Sequence, residues 1–274
     1  MSAVVVIPAR YGSTRFVGKP LVPILGWPMV QRVWALARSV DGVARVVVAT
    51  DDERIAKFCE MIGADCCMTS REARSGTDRT YEAVTQLNPL PTIILNLQGD
   101  AILTPPWVIA DLLRFATSRT DVKISTVATR MTIDAFRQLQ LVKSGGEVGG
   151  TTVTFDREGR ALYFSKSPIP FVRTVATPLP VFRHIGLYSF TFEALQTFVG
   201  LPESQLEKAE GLEQLRALEG GIPIHVVEVD YRERTHWGVD SPQDAALCAT
   251  IIAKEGELLS SYDGKGHCLV QSPC

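Results

Sequence analysis

The chain has little of what marks a nucleic-acid binder, a disulfide scaffold or a membrane protein. Its formal net charge is −2, so no basic surface for nucleic acid and no polybasic membrane contact is expected. No apolar run approaches the roughly 20 residues needed to cross a bilayer. The first apolar run is too short for a signal peptide and lacks a basic region before it. Six cysteines are present, Cys59, Cys66, Cys67, Cys248, Cys268 and Cys274. They form no CxxC pair and do not resemble a disulfide framework. The vicinal Cys66-Cys67 reads as a pair of small strand residues. There are four histidines and no obvious His–acid dyad. His225 sits inside an apolar strand pattern and reads as structural, and His267 lies in a polar tail. These absences point to a protein of a reducing compartment, with the cytoplasm as the expectation.

What is present is an ordinary globular composition, 46% hydrophobic and 21% charged over 274 residues, enough for one large domain or two small ones. Three Val/Ile-rich runs without alternation appear early: Ala3–Ile7, Val43–Ala49 and Thr92–Leu97. Such runs suit strands buried on both faces of a parallel sheet. Helical patterns lie between them. PMVQRVWALARSV has Pro28 as a first-turn residue, and DDERIAKFCEMIGA starts with acids and stops at Gly63. Strand, helix, strand, helix, strand is the doubly wound α/β order.

The texture changes after about residue 140. Gly145-Gly146 and Gly149-Gly150 read as turns, TTVTFD and RALYFS as a hairpin, and PFVRTVATPLPVF as an extended loop. HIGLYSF predicts a strand leading into the helix FEALQTFV. LEKAEGLEQLRALEGG predicts one charged amphipathic helix, and IPIHVVEVD another strand. The last helix, SPQDAALCATIIAKEGELL, has Ser241 as its cap, Pro242 first and Asp244 third.

The loop after the first strand, ARYGSTRFVGKP, places Arg10, Arg15 and Lys19 among small residues. In an open α/β sheet ligands bind beyond the carboxyl ends of strands. No GxGxxG dinucleotide fingerprint is present, which disfavours a dehydrogenase. A Walker A loop fails too, because five residues separate Gly12 from Gly18 and Pro20 follows Lys19. That proline offers neither a hydroxyl for Mg²⁺ nor an N–H for phosphate. What survives is a flexible backbone with three cations able to neutralise a polyphosphate; a solvated basic loop is the plainer alternative. Asp100, at the end of NLQGD, and Asp240, in WGVDSPQD, are candidate oxygen ligands for Mg²⁺. Either could equally be a turn or cap residue. Gln98 is placed to hydrogen-bond a base or sugar. Ser75 to Asp78 precede a helix, and Arg79 in its first turn could help hold an anion or simply follow an ordinary cap.

Seven segments in order, IPARYGSTRFVGKPL, SGTDR, NLQGD, ALYFSKSPIPF, RHIGLYSF, LEKAEGLEQLRAL and GVDSPQD, resemble the 3-deoxy-manno-octulosonate cytidylyltransferase (CMP-Kdo synthetase) family over roughly residues 3–250. The resemblance implies an α/β nucleotide-diphospho-sugar transferase fold, a Rossmann-like mixed sheet flanked by helices with a smaller α+β dimerisation insertion. On that reading residues 1–250 form a single nucleotidyltransferase domain. Roughly residues 140–215 would be the insertion, contributing to the acceptor site and a homodimer interface. Residues 251–274 would be the helix end and a loose tail.

The implied activity is a magnesium-dependent transfer of CMP from CTP to an acidic acceptor with release of pyrophosphate, a step of lipopolysaccharide biosynthesis. Arg10, Lys19 and Asp100 are the implied catalytic residues. Ala9, Arg10, Gly12, Ser13, Arg15, Lys19, Ser75, Arg79 and Gln98 are implied for the nucleotide. Gln98, Lys166, His184, Tyr188, Glu213 and Gln214 are implied for the acceptor, and Asp100 and Asp240 for Mg²⁺. Glu210, Glu213 and Gln214, at i, i+3 and i+4, would share one helical face.

The chain departs from the family pattern where Val17 replaces a proline and where Ala101-Ile102 replaces Glu-Pro after QGD. It also carries Lys166 where the family has the arginine that faces the sugar-acid carboxylate, and lysine lacks the planar bidentate clamp. The KSGGEVGGTTVTFD stretch also lacks the family's Asn-Pro approach. The expected acceptor is therefore the octulosonate or a relative. An amino-octulosonate, a phosphonate or another small acid, a different nucleotide base, and a non-catalytic nucleotide-binding homologue are the alternatives.

Overall fold

A computed structural model describes residues 2–13, 15–146, 149–175 and 177–259. Cys268, Cys274, His267 and most of the expected tail lie outside the described residues. The chain forms two compact units, one from residues 1–110 with 231–274 and one from Asp111–Asp230. The second contains the expected insertion of residues 140–215 and extends beyond it on both sides.

The first unit follows the early pattern. Strand β1 (Ala3–Pro8) leads to the short pair β2 (Pro23–Ile24) and β3 (Trp27–Pro28), then helix α1 (Met29–Arg38). Strand β4 (Val43–Thr50), helix α2 (Glu53–Met61), strand β5 (Asp65–Met68), helix α3 (Gly76–Thr85) and strand β6 (Ile93–Leu97) follow. Helix α4 (Pro106–Ser118) runs across the boundary of the two units. The strands lie in the order β6-β1-β4-β5 and all pair in parallel. Val5, Val6, Ile7, Val47, Val48, Ile94 and Leu95 are fully buried, and each contributes about 1.5–3 kcal/mol by leaving water. Polar Asn96, buried in β6, donates from Nδ2 to Thr77 Oγ1 at 3.2 Å. Parallel pairing brings the ends of β1 and β6 to one edge. There the backbones approach so closely that a Cβ on Gly99 would lie 2.6 Å from the Pro8 carbonyl oxygen.

The helix starts are largely as read. Asp52 caps α2 and Ser75 caps α3 with a capping box to Asp78. Pro28 stands one residue before α1 rather than in its first turn.

The second unit contains β7 (Ile124–Arg130), α5 (Ile133–Ser144), β8 (Thr151–Phe155), β9 (Ala161–Ser165), β10 (Phe182–Phe190), α6 (Phe192–Gly200), α7 (Gln205–Glu210), α8 (Leu215–Glu219) and β11 (His225–Glu228). Its order is β11-β7-β10-β8-β9. β11 is parallel to β7, and β10 is antiparallel to both β7 and β8. The expected hairpin is β8–β9, turned by Asp156, whose Oδ1 accepts from the backbone N–H groups of Glu158 and Arg160.

One expectation is corrected here. LEKAEGLEQLRALEGG is two short helices, not one. α7 closes at Gly211, which stands in the left-handed region at φ 63°, a conformation glycine adopts without a Cβ penalty. Glu210, Glu213 and Gln214 therefore do not share a helical face. The final helix, α9 (Pro242–Glu255), returns to the first unit with the expected Ser241 cap, which Asp244 completes as a capping box. No helix among the described residues is long and apolar enough to cross a membrane.

Candidate active site

The first unit holds a cleft of about 270 Å³ at the carboxyl edge of β1 and β6. Of the residues expected to bind nucleotide, Ala9, Arg10, Ser13, Arg15, Lys19, Ser75, Arg79 and Gln98 line it, and so do both expected metal ligands, Asp100 and Asp240. Gly12 is exposed and is not part of the lining. The loop's shape comes from its own backbone. The Tyr11 carbonyl accepts from the N–H groups of Ser13 and Gly18, at 3.0 and 2.9 Å. Arg54 lies over the Tyr11 ring while donating to Asp52.

Lys19 is the hub. Its Nζ donates to Asp100 Oδ2 at 2.8 Å and to the Val239 carbonyl at 2.7 Å, and stands 3.5 Å from Asp240 Oδ1. Arg15 Nη2 meets the same Asp240 oxygen at 3.1 Å. The two carboxylates, 140 residues apart in sequence, thus converge on one half-buried ammonium. Arg10 is exposed and makes no ion pair among the described residues.

Arg79 is placed differently. Its side chain is buried, its Nη2 stands 3.2 Å from Asp51 Oδ2, and its Nη1 donates to Thr69 Oγ1. Its guanidinium thus joins the loops after β4 and β5 at the cleft wall. Sequence reasoning took Asp51 only as a helix-starting acid and did not single out Thr69. The signal was there, since Asp51 directly follows a buried strand, as Asp100 nearly does. Ala73 and Arg74, also on the wall, were not singled out either. The departure at Ala101-Ile102 has a local account: Ala101 N–H closes a turn onto the Gln98 carbonyl, and Ile102 is buried.

The expected acceptor residues other than Gln98 lie in the second unit. His184 and Tyr188 stand on β10 across an irregularity. Between Ile185 and Tyr188 the partner strand advances by one residue only, from Val127 to Thr126. His184 and Tyr188 therefore stay on one face, opposite Ala128 and Thr126, with ring centroids 5.5 Å apart. Thr126 Oγ1 lies 2.9 Å from His184 Nε2 and 2.8 Å from the Leu187 carbonyl oxygen. Phe164 packs edge-on to His184. Burial, then the negative charge of Glu213, raises the Tyr188 phenol well above its ordinary range. Tyr188, Glu213 and Gln214 border a small cavity of about 10 Å³, about enough for one water. The buried Gln214 Nε2 has no hydrogen-bond partner among the described residues. Lys166 follows the last residue of β9 and is half-buried. Its ammonium has no ion pair or hydrogen bond among the described residues.

Residues 4–224 match the family described as cytidylyltransferase. The chain belongs to that family. This cytidylyltransferase is 46% identical over 259 residues to the 3-deoxy-manno-octulosonate cytidylyltransferase of Maricaulis maris, covering 94% of this chain and all of that one. It is 39% identical over 259 residues to the 8-amino-3,8-dideoxy-manno-octulosonate cytidylyltransferase of a Shewanella species, covering 92% and 99%. Its fold matches a CMP:2-keto-3-deoxy-manno-octonic acid synthetase solved in complex with CTP. That match has a TM-score of 0.83 and 36% identity, and covers 93% of this chain and all of that one. The expected nucleotide-sugar transferase fold, a mixed sheet flanked by helices, is thereby borne out.

Proposed function

We propose that this cytidylyltransferase transfers CMP from CTP to 3-deoxy-manno-octulosonate or its 8-amino relative, releasing pyrophosphate. The observation that carries this reading is the cleft itself, in which Arg15 and Lys19 of one loop meet two carboxylates from distant loops and Arg10 lines the same wall. A triphosphate laid there would meet Arg10, Arg15 and Lys19. The acceptor hydroxyl would attack the α-phosphorus, forming the sugar O–P bond as the bond to the pyrophosphate oxygen breaks. Charge leaving with the pyrophosphate would be stabilised by those cations, of which Lys19 is held beforehand by Asp100 and the Val239 carbonyl. The hydroxyl proton would pass to solvent, so no histidine is needed.

Magnesium fits the donor set. No group of three or more His, Cys, Asp or Glu side chains that could hold a metal occurs among the described residues, but Mg²⁺ is ordinarily held by one or two carboxylates plus substrate phosphates. Asp100 and Asp240 would hold it, and their convergence on Lys19 supports that role. When bound, the ion would neutralise phosphate charge and lower the pKa of an oxygen bound to it.

On the acceptor side Lys166, His184, Tyr188, Glu213 and Gln214 of the second unit would receive the sugar acid. A homodimer formed through the second unit is supported by β9, which among the described residues pairs only with β8, and by exposed Leu162, Phe171 and Val175. Light scattering tests it, and a cytoplasmic location goes with the same reading.

The deciding assay combines CTP, Mg²⁺ and a panel of acids: the octulosonate, its 8-amino relative, other sugar acids and a phosphonate. Pyrophosphate release with a CMP-sugar product from the first two is expected, and CTP should outperform UTP, ATP and GTP. Release with none of the acids would sink the proposal.

A further inference from the structure

Glu210 is half-buried and ends α7. Its Oε2 accepts from the Lys166 backbone N–H at 2.7 Å. Its Oε1 accepts from Ser165 Oγ at 2.7 Å and, more weakly, from Tyr163 Oη at 3.4 Å. The chain just beyond is held as well. Ser167 N–H donates to Ser165 Oγ at 2.9 Å, Thr152 Oγ1 donates to the Ser167 carbonyl at 2.8 Å, and Ile169 N–H donates to Thr152 Oγ1 at 3.0 Å. The backbone around residue 166 is thus fixed on both flanks, while the Lys166 ammonium has no ion pair or hydrogen bond among the described residues. A half-buried carboxylate accepting several hydrogen bonds is a strong local clamp. Past Gly211, the same segment leads into Glu213 and Gln214. One carboxylate therefore ties the strand that presents Lys166 to the turn that presents two other acceptor-side residues.

We propose that Glu210 is a positioning residue for the acceptor: it fixes Lys166 relative to Glu213 and Gln214 and touches no substrate itself. This rests on the reading of Lys166 as an acceptor-binding residue. It also accounts for how a flexible lysine can serve without arginine's planar fork: the backbone that carries it is held rigid.

The test is steady-state kinetics with 3-deoxy-manno-octulosonate and CTP for K166A, E210A, E210Q and the K166A/E210A double variant, with unfolding temperatures for each. K166A should raise the acceptor KM roughly tenfold or more, the effect of losing a charge-assisted hydrogen bond. E210A should raise the acceptor KM by a similar factor and leave the CTP KM within about twofold, and the double variant should be no worse than K166A, as residues acting as a unit are non-additive. E210Q keeps one acceptor oxygen and should fall between E210A and the parent, so it serves if E210A does not fold. An unchanged acceptor KM in K166A overturns the Lys166 reading itself. A raised KM in K166A with unchanged values in E210A and E210Q overturns only the positioning role. Additive losses in the double variant, or CTP and acceptor KM rising together with falling stability, make Glu210 merely structural and overturn it as well.

Discussion

The first unit places its proposed site residues on loops at the ends of parallel strands, and the second places its own inside a strand and a tight helical turn. Arg15 and Asp240 have side chains 70% and 51% exposed, and each can exchange its present partner for a ligand. His184, Tyr188 and Gln214 are all less than a tenth exposed, and His184 and Tyr188 are held by Thr126 and by each other's rings. Exposed ion pairs contribute about 0–1 kcal/mol to stability, whereas a buried polar group left without its partner costs about 1–3 kcal/mol. On the proposed reading, changes on the loop side should cost function alone, and changes on the strand side should cost function and stability together.

Asp100→Asn probes the loop side most severely. Turnover should fall by about 100-fold or more, as for the removal of one preorganised charge-stabilising group, while the unfolding temperature stays nearly constant. Pyrophosphate release and calorimetry on the same sample check both halves. A variant that turns over normally would remove Asp100 from the chemistry.

Lys19→Met and Arg15→Met grade the loop. Lys19, 16% exposed, has three oxygens within 3.5 Å, and Arg15 reaches only Asp240. Lys19→Met should raise the CTP KM by roughly 10–100-fold and Arg15→Met by less than about tenfold. The Arg15 contribution should also fade as salt rises, because exposed charges are screened. Equal effects at all salt concentrations would erase the distinction between hub and rim.

Thr126→Val tests the strand side, where the two losses should coincide. The threonine hydroxyl serves His184 and the Leu187 carbonyl at the irregularity in β10. Its loss should cost about 1–3 kcal/mol. The unfolding temperature should fall by several degrees and the acceptor KM should rise, with the CTP KM unmoved. Loss of stability with an intact acceptor KM would mean that His184 does not depend on this support.

The same contrast explains what could be read in advance. The three apolar runs became β1, β4 and β6 because a strand buried on both faces is apolar along most of its length. The loop cations and the two aspartates were legible because charge next to such a run has few structural uses. Strand β7 was not singled out. Its buried positions include Ser125 and Thr126, which find partners in Ser189 and His184, so its pattern does not look like a core strand. The LEKAEGLEQLRALEGG segment misled because helical periodicity continues through Gly211, and only the backbone reveals the left-handed residue that breaks it. Glu210 was grouped with Glu213 and Gln214 on a face that does not exist. Its actual partners, Ser165 and Lys166, are more than forty residues away in sequence and left no local signal.

The mildest test lies where the loop side is most firmly anchored. Asp244 accepts from the backbone N–H groups of Asp240 and Ser241, from Ser241 Oγ and from Trp237 Nε1. Partial burial pushes its carboxyl up, but these hydrogen bonds outweigh that and hold it below the usual carboxylate range. A depressed folded-state pKa stabilises the fold above the unfolded value, near pH 4, and the benefit is lost as pH falls through the folded value. Asp244→Asn should therefore lower stability by at most about 1 kcal/mol at neutral pH, a shift of roughly 2–4 °C. The gap from the parent should narrow below about pH 4. If the loop side tolerates loosening, the CTP KM stays within about threefold, since this variant leaves every cation in place. A CTP KM that climbs in step with the lost stability would show that Asp240 must be held as rigidly as His184, and the two sides would then obey one rule.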